Sequence, residues 1–214
     1  MIIAFDFDGT IIDSMGMWRG LTKGYLEARQ IPYTDAIARD VHAMSLSRCA
    51  HYLSEVIGLP ETPEEIIASM GEHLINTYKT LSLRPGARET LETLREARIP
   101  FVLATATNED YVLPTLVHFG LDDLLTEVYT VDGLGFSKGD PTFFTTLARH
   151  IGADPEEILL VDDALYALTA AKEAGLQTVA IYDRHSDGDW EKASRLADHS
   201  ISEIHELPEV LPLP

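Results

Sequence analysis

Short runs of apolar residues recur along this chain, and longer stretches with helical spacing lie between them. The apolar runs are at residues 2–5, 101–104, 128–131, 158–161 and 178–181. Such short, uninterrupted runs are typical of strands that are buried on both faces of a sheet. Stretches with apolar side chains three and four residues apart lie at 86–97, 109–119, 141–151 and 164–174. Strands that alternate with helices predict a doubly wound, Rossmann-like α/β fold with a parallel sheet.

One long segment departs from this alternation. Its patterns predict only helices, at residues 15–30, about 35–44, 46–57 and 63–81. Ser14 is suited to cap the first of them. A connection of this length between two strands is unusual. We therefore expect an all-helical cap domain at 14–84, inserted into a core domain formed by 1–13 and 85–214. A second helical layer on the same core is the alternative.

The chain of 214 residues carries 16 Lys and Arg against 35 Asp and Glu, a formal charge of -19 at pH 7. Nucleic acids and anionic membrane surfaces bind basic patches, so neither is an expected partner. The single cysteine, Cys49, excludes an internal disulfide and a zinc site built on cysteines. No run reaches the roughly 18 apolar residues of a membrane span, and Asp6 interrupts any secretion signal. We expect a cytoplasmic protein, a monomer or a small homo-oligomer.

Polar side chains follow the apolar runs, where the predicted strands end. They are Asp6, Asp8, Thr105, Asp162 and Asp163, with Lys138 after the third run. Ligands of parallel α/β sheets bind beyond the carboxyl ends of the strands. We therefore expect these acids, the hydroxyl and the lysine to converge at one edge of the sheet.

The chemistry of this set points to phosphoryl transfer. Carboxylates gathered at one point repel each other, and a bound Mg²⁺ relieves the repulsion and also takes phosphate oxygens. The hydroxyl of Thr105 and the cation of Lys138 complement phosphoryl oxygens. One carboxylate could attack phosphorus, while Asp8 could protonate the leaving oxygen and then activate water. These residue types predict a two-step displacement.

Four segments resemble, in family order, the four motifs of the haloacid dehalogenase superfamily in its phosphatase branch. They are 6–14 (DFDGTIIDS), 102–107 (VLATAT), 138–143 (KGDPTF) and 160–164 (LVDDA). The similarity spans about residues 1–182 and extends to members related to phosphoglycolate phosphatase and β-phosphoglucomutase. It implies that the helical segment is the cap of the first subfamily, which closes over the site and contacts the leaving group.

The resemblance also implies a role for each polar residue. Asp6 would be the nucleophile and a Mg²⁺ ligand. Asp8 would be the general acid and base, and a ligand through its backbone carbonyl. Asp163 would be the third protein ligand, and Asp162 would act on metal-bound water or bind the ion as well. The phosphoryl group would be bound by Thr105, the amide of Ala106 and Lys138.

The implied function is Mg²⁺-dependent hydrolysis of a small phosphate monoester through an aspartyl-phosphate. Trp18 and Arg48 of the cap are candidates for contact with the substrate. A sugar-phosphate mutase acting at the same site is the alternative, weakened because related mutases carry a histidine where Trp18 stands. Ala164 and Ala167 replace the serine and aspartate that many such phosphatases have in the fourth motif.

Two further alternatives belong to other functional classes. Ser137 lies in a Gly-x-Ser-x-Gly sequence, and an acid and then His185 or His199 follow it, as a serine hydrolase requires. That nucleophile must directly follow a strand, however, and the nearest predicted strand ends at Val131. The other alternative is a non-catalytic module that accepts a phosphoryl group, like a receiver domain, in which no cap of this length is expected.

Overall fold

Six parallel strands form one sheet in this computed structural model, which describes residues 1–41 and 44–211. The strands are β1 (Ile2–Phe5), β2 (Phe101–Thr105), β3 (Val128–Thr130), β4 (Ile158–Asp162), β5 (Gln177–Ile181) and β6 (His199–Ile201). Their order across the sheet is β3-β2-β1-β4-β5-β6, so the chain winds outward from β1 in both directions. This order confirms the doubly wound α/β fold.

Helices fill the connections between the strands. Between β1 and β2 lie α1 (Met15–Glu27), α2 (Asp35–Val41), α3 (Leu46–His51), α4 (Pro63–Tyr78) and α5 (Ala87–Glu96). The later helices are α6 (Glu109–Phe119), α7 (Val131–Leu134), α8 (Pro141–Ile151), α9 (Leu165–Glu173), α10 (Asp187–Leu196) and α11 (Leu207–Val210). Within the described ranges, no helix combines the length and the apolar character needed to cross a membrane.

The helices between β1 and β2 differ in detail from the prediction. The structure ends α1 at Glu27 and α4 at Tyr78, each three residues before the predicted end. The predicted helix 46–57 has two parts, because α3 widens into a turn in which the Ile57 amide donates to the Tyr52 carbonyl at 3.1 Å. The predicted helix 35–44 ends at Val41, and residues 42 and 43 lie outside the described residues.

Strand β1 is buried on both faces, as its uninterrupted apolar run predicts. Ile3 and Phe5 pack into one hydrophobic cluster, and Ala4 packs into another on the opposite face with Phe143 and Phe144 of α8. The first cluster continues into the helices that follow β1, through Leu26, Ile66, Met70 and Leu74. The helical segment thus shares apolar packing with the sheet, and its division into a separate cap domain stays a prediction.

The chain leaves β1 and returns to the sheet along one short paired segment. Ile12 and Leu83 form an antiparallel bridge. Beside it, the Arg84 amide donates to the Ile11 carbonyl at 2.8 Å. Helices α1 to α4 are therefore attached to the sheet by two adjacent connections.

A buried ion pair anchors the returning connection. The Arg84 guanidinium donates to Asp183 Oδ2 at 3.0 Å through Nη1, and to the Tyr182 carbonyl at 2.6 Å through Nη2. Arg84 and Asp183 are both buried, and Asp183 lies just beyond the carboxyl end of β5. The pair therefore fixes the returning connection to the edge of the sheet where ligands of such folds bind.

Candidate active site

Three buried aspartates meet at the carboxyl ends of the two central strands. Asp6 follows β1, Asp162 ends β4, and Asp163 comes next. Parallel pairing places Phe5 opposite Val161, so the residues after these positions are neighbours. One carboxylate oxygen from each acid lies within 4.8 Å of the others. The positions of the strand ends along the sequence predict this convergence.

Lys138 lies at the centre of this acidic cluster. Its Nζ donates to Asp6 Oδ1 and to Asp162 Oδ2, each at 2.6 Å. Burial lowers the pKa of Lys138, but the facing carboxylates of Asp162 and Asp6 raise it further, and its pKa lies above the ordinary value. The lysine is therefore a fixed positive charge. It partly balances the buried acids and offers a cation near the point where a phosphoryl group would lie.

The pKa values of two of the acids stay raised despite the positive charge of Lys138. Burial raises the pKa of Asp6 from 3.8 to about 7, against the attraction of Lys138 and with the added repulsion of Asp162 and Asp8. Burial also raises the pKa of Asp163 well above its ordinary value, and Asp162 and Asp6 add to that shift. Clustered, desolvated carboxylates of this kind favour a divalent cation, because its charge restores the ionised forms.

The carboxylate oxygens of the cluster differ in the hydrogen bonds that they accept. Both oxygens of Asp162 accept hydrogen bonds, Oδ1 from the Ala164 amide at 2.8 Å and Oδ2 from Lys138. For Asp163, Oδ2 accepts from the Ser186 hydroxyl at 2.7 Å. Oxygen donors of this type suit Mg²⁺, so the residues fit the predicted ion. Asp162 is positioned chiefly to hold Lys138.

Asp8 points into a shell of hydroxyl groups. Its Oδ1 accepts from Ser14 Oγ at 2.5 Å and from the Tyr78 hydroxyl at 2.7 Å, and its Oδ2 accepts from Thr107 Oγ1 at 2.5 Å. Trp18 Nε1 in turn donates to the Tyr78 hydroxyl at 3.0 Å. Because hydroxyl groups can both donate and accept, the same neighbours can serve Asp8 with or without a proton.

Gly9 holds the acidic residues close together through its backbone. Its φ is +84°, a conformation that residues with a side chain rarely adopt. A Cβ at this position would lie 2.9 Å from Cγ and Oδ1 of Asp163 and from Cγ of Met15. The close approach of the first loop to Asp163 therefore requires glycine.

A cavity of about 560 Å³ opens beside these residues. Among the predicted site residues, those that line it are Asp6, Asp8, Trp18, Thr105, Ala106 and Asp163. Lys138 and Asp162 are buried and hydrogen-bonded to the same cluster. Arg48 is exposed and lies outside the lining. The structure thus brings every predicted site residue except Arg48 to one place, and their individual roles stay predictions.

Several residues of the site escaped sequence analysis. Tyr78 ends α4 and lies 70 positions from Asp8 in the chain, and no local pattern marks it. Ser14 precedes α1, but its hydroxyl makes no capping hydrogen bond and donates to Asp8 instead, so the capping prediction was wrong. Arg39 and Ser186 also line the cavity without any signal in their own segments.

The geometry does not support the two alternatives from other classes. Ser137 follows α7 and not a strand, and its hydroxyl accepts from the Gly139 amide at 3.3 Å. Among the described residues, no hydrogen bond joins Ser137 to His185 or His199. Receiver domains have the flavodoxin-like strand order 2-1-3-4-5, which differs from the order observed here.

Comparison with known proteins identifies what this architecture resembles. Residues 3–181 match the family described as haloacid dehalogenase-like hydrolase. Validoxylamine A 7'-phosphate phosphatase from Streptomyces hygroscopicus is 26% identical over 191 residues, covering 86% of each chain. Phosphorylated carbohydrates phosphatase from Thermotoga maritima is 24% identical, covering 83% of this chain and 82% of its own. The crystal structure of a hydrolase from Pseudomonas syringae superposes with a TM-score of 0.76 at 25% identity, covering 99% of this chain and all (100%) of that one.

Proposed function

The chain belongs to the haloacid dehalogenase-like hydrolases, and from this membership we propose that it hydrolyses a small phosphate monoester with the help of Mg²⁺. The observation that carries the proposal is the buried cluster of Asp6, Asp162 and Asp163 around Lys138, open to a cavity. Relatives named as phosphatases of phosphorylated small molecules lend further support.

In the first step, a carboxylate oxygen of Asp6 attacks phosphorus and the bond from phosphorus to the leaving oxygen breaks. Lys138 already donates to Asp6 Oδ1, so it orients the nucleophile and faces the developing charge on the phosphoryl oxygens. Thr105 and the Ala106 amide line the same end of the cavity and would hold those oxygens. This step produces an aspartyl-phosphate, and the oxygen of the leaving group needs a proton.

Asp8 supplies that proton and takes one back in the second step. It lines the cavity two residues after the nucleophile, so both carboxyl groups can face one substrate. After the alcohol leaves, water attacks phosphorus, passes a proton to Asp8, and the bond between Asp6 and phosphorus breaks. The hydroxyl groups of Ser14, Tyr78 and Thr107 hold Asp8 in place throughout.

Asp6 and Asp163 would hold the Mg²⁺ ion, together with the backbone carbonyl of Asp8. When bound, the ion supplies positive charge that keeps the buried carboxylates ionised and neutralises a phosphate dianion. Lys138 and Asp162 remain a hydrogen-bonded pair beside it. Phosphate recognition at this acidic edge therefore depends on local charge and not on the net charge of the protein.

The test is turnover of a panel of phosphorylated metabolites, with β-glucose 1-phosphate included to detect isomerisation. We expect release of many equivalents of phosphate per enzyme, loss of activity with EDTA, and recovery with Mg²⁺. Asp6→Asn should abolish turnover, whereas Asp122→Asn, an exposed acid outside the cavity, should leave it unchanged. Near-normal phosphatase activity of the Asp6 variant would contradict the nucleophile, and a single turnover would favour a receiver-like module.

A further inference from the structure

The helical side of the cavity is mostly apolar. The volume of about 560 Å³ far exceeds what a phosphate group fills, so most of it is available to the leaving group. One wall of the cavity is formed by residues of α1 to α3 and their connections. Its apolar members include Met15, Trp18, Leu21, Val41, Met44 and Leu46, and Tyr33 adds one hydroxyl group.

The small polar side chains in this wall are already engaged with the protein. Thr22 Oγ1 and Cys49 Sγ lie 3.6 Å apart in a hydrogen bond. Ser45 Oγ accepts from the amide of Arg48 in the first turn of α3. Trp18 Nε1 donates to Tyr78. A leaving group rich in hydroxyls would lose its bonds to water here and find few replacements, which disfavours it.

Two arginines supply the charge of the same wall. Arg19 of α1 and Arg39 of α2 both line the cavity. Among the residues whose side chains the structure describes, neither guanidinium forms an ion pair or a hydrogen bond, and Arg19 also lines a second, smaller cavity with Asp163 and Asp189. Among the cavity-lining residues that the structure describes in α1 to α3, none is acidic, and the acids of the lining are Asp6, Asp8, Asp163 and Asp189 of α10. Lys138 already serves the phosphoryl end, so these two cations are available to a second anionic group.

Resting on the proposed function, we propose that the preferred substrate is a phosphomonoester whose leaving group has an apolar or aromatic body and carries a second anionic group. The apolar wall would pack on the body of the leaving group. Arg39 and Arg19 would pair with its carboxylate or second phosphate. A polyhydroxylated sugar phosphate would be a poor substrate by comparison.

Kinetics with matched synthetic substrates test this assignment in the Mg²⁺-loaded protein. The probes are phenyl phosphate, 4-carboxyphenyl phosphate, 4-(phosphonomethyl)phenyl phosphate and glucose 6-phosphate. The second and third add a carboxylate or a phosphate-like anion to the same aromatic body and so distinguish the two anions. We expect kcat/KM to be at least about tenfold higher for an anionic aromatic probe than for glucose 6-phosphate.

Variants connect the preference to the two arginines. Arg39→Gln and Arg19→Gln should each lower kcat/KM for the preferred anionic probe by about tenfold, through KM, the effect of one lost charge-assisted hydrogen bond. Phenyl phosphate, which lacks the second anion, should change less than twofold. Lys23→Gln removes an exposed cation of α1, the helix of Arg19, that does not line the cavity. This variant should not change kcat/KM for the anionic probe or for phenyl phosphate.

The outcomes separate this inference from the function on which it rests. Equal or better turnover of glucose 6-phosphate would overturn the inference alone, because phosphatase activity would remain. So would an equal loss on all probes in the arginine variants, since that indicates a general structural effect. If none of the four phosphates, nor any in the metabolite panel, is hydrolysed, the proposed function fails and the inference fails with it.

Discussion

Replacing Asp6, the proposed nucleophile, by asparagine should inactivate the protein and also stabilise it. Asp6→Asn removes one charge from the buried cluster and keeps the size and most of the hydrogen bonding of the side chain. Lys138 keeps Asp162 as a charged partner in this variant. The variant therefore relieves the repulsion among the acids without leaving a buried cation unpaired.

The magnitude follows from the pKa of Asp6 in the metal-free protein. Its shift from 3.8 to about 7 already includes the attraction of Lys138. At about 1.4 kcal/mol per pKa unit, the ionised side chain costs about 4 kcal/mol above pH 7. Because the pKa of the folded state is raised, the contribution of Asp6 to wild-type stability is complete below about pH 4 and is lost as the pH rises through 7. Asp6→Asn lacks this loss, so its advantage should be about 4 kcal/mol at pH 8 and about 2 kcal/mol at pH 5.

Urea unfolding in EDTA at these two pH values measures the effect. Comparing the two proteins at each pH removes the titrations that they share. Asp122→Asn, an exposed acid, should stay within about 0.5 kcal/mol of wild type at both pH values. Adding Mg²⁺ should stabilise the wild type and reduce the difference. Equal stability at pH 8, or an advantage that does not change with pH, would refute the electrostatic reasoning.

Three further substitutions probe the structure around the site. Tyr78→Phe removes one hydrogen bond to Asp8 and keeps the buried ring, so kcat should fall about tenfold with KM nearly constant in steady-state assays. Arg84→Met leaves Asp183 buried without its cation, and urea unfolding should show a loss of about 3–5 kcal/mol. Gly9→Ala forces a side chain into a positive φ and against Asp163, and should lower both kcat and stability, the latter by about 1–3 kcal/mol.

Two of these substitutions have a matched control on the protein surface. Tyr52→Phe removes an exposed hydroxyl bond and should not change kcat. Arg95→Met breaks an exposed ion pair and should cost less than about 1 kcal/mol. A tenfold rise in KM with constant kcat would contradict the role of Tyr78. If Arg84→Met lowers the free energy of unfolding no more than Arg95→Met does, the buried ion pair adds no stability. If kcat is unchanged in Gly9→Ala, the loop tolerates a side chain at this position.

The extent to which the fold could be predicted depended on burial. Strands β1 and β4 are buried on both faces, so their apolar runs marked them almost to the residue. The edge strand β6 has only Ile201 buried, and its two exposed polar residues leave no apolar run to recognise. Helix α10 is rich in charged residues and buries only a narrow stripe around Ala193, so its pattern is weak.

The site was predictable where chemistry coincides with strand ends. Asp6 and Asp163 stand directly after buried strands, and the sheet alone brings them together. Tyr78 and Arg39 reach the site only through the packing of helices against the sheet. That packing depends on side-chain shape across distant segments, which hydrophobic periodicity does not encode. The acids could therefore be predicted from the sequence, and their partners from the helices could not.

The paired connections at Ile12 and Leu83 allow the helical wall of the cavity to vary separately from the sheet that carries the acids. For the sheet, residues 15–78 behave as one long loop whose ends are held side by side. The entropy of closing a loop grows slowly with length, by about 0.6 kcal/mol for each doubling, so a segment of different length would add little to the entropic cost of closing the loop. An exchange would replace the wall that we propose faces the leaving group and would leave Asp6 at the end of β1, but the new segment would have to supply a hydrogen-bond donor to Asp8 in place of Tyr78. Changes in the helices can therefore alter this wall while the strand ends that carry Asp6 and Asp163 stay paired in the sheet.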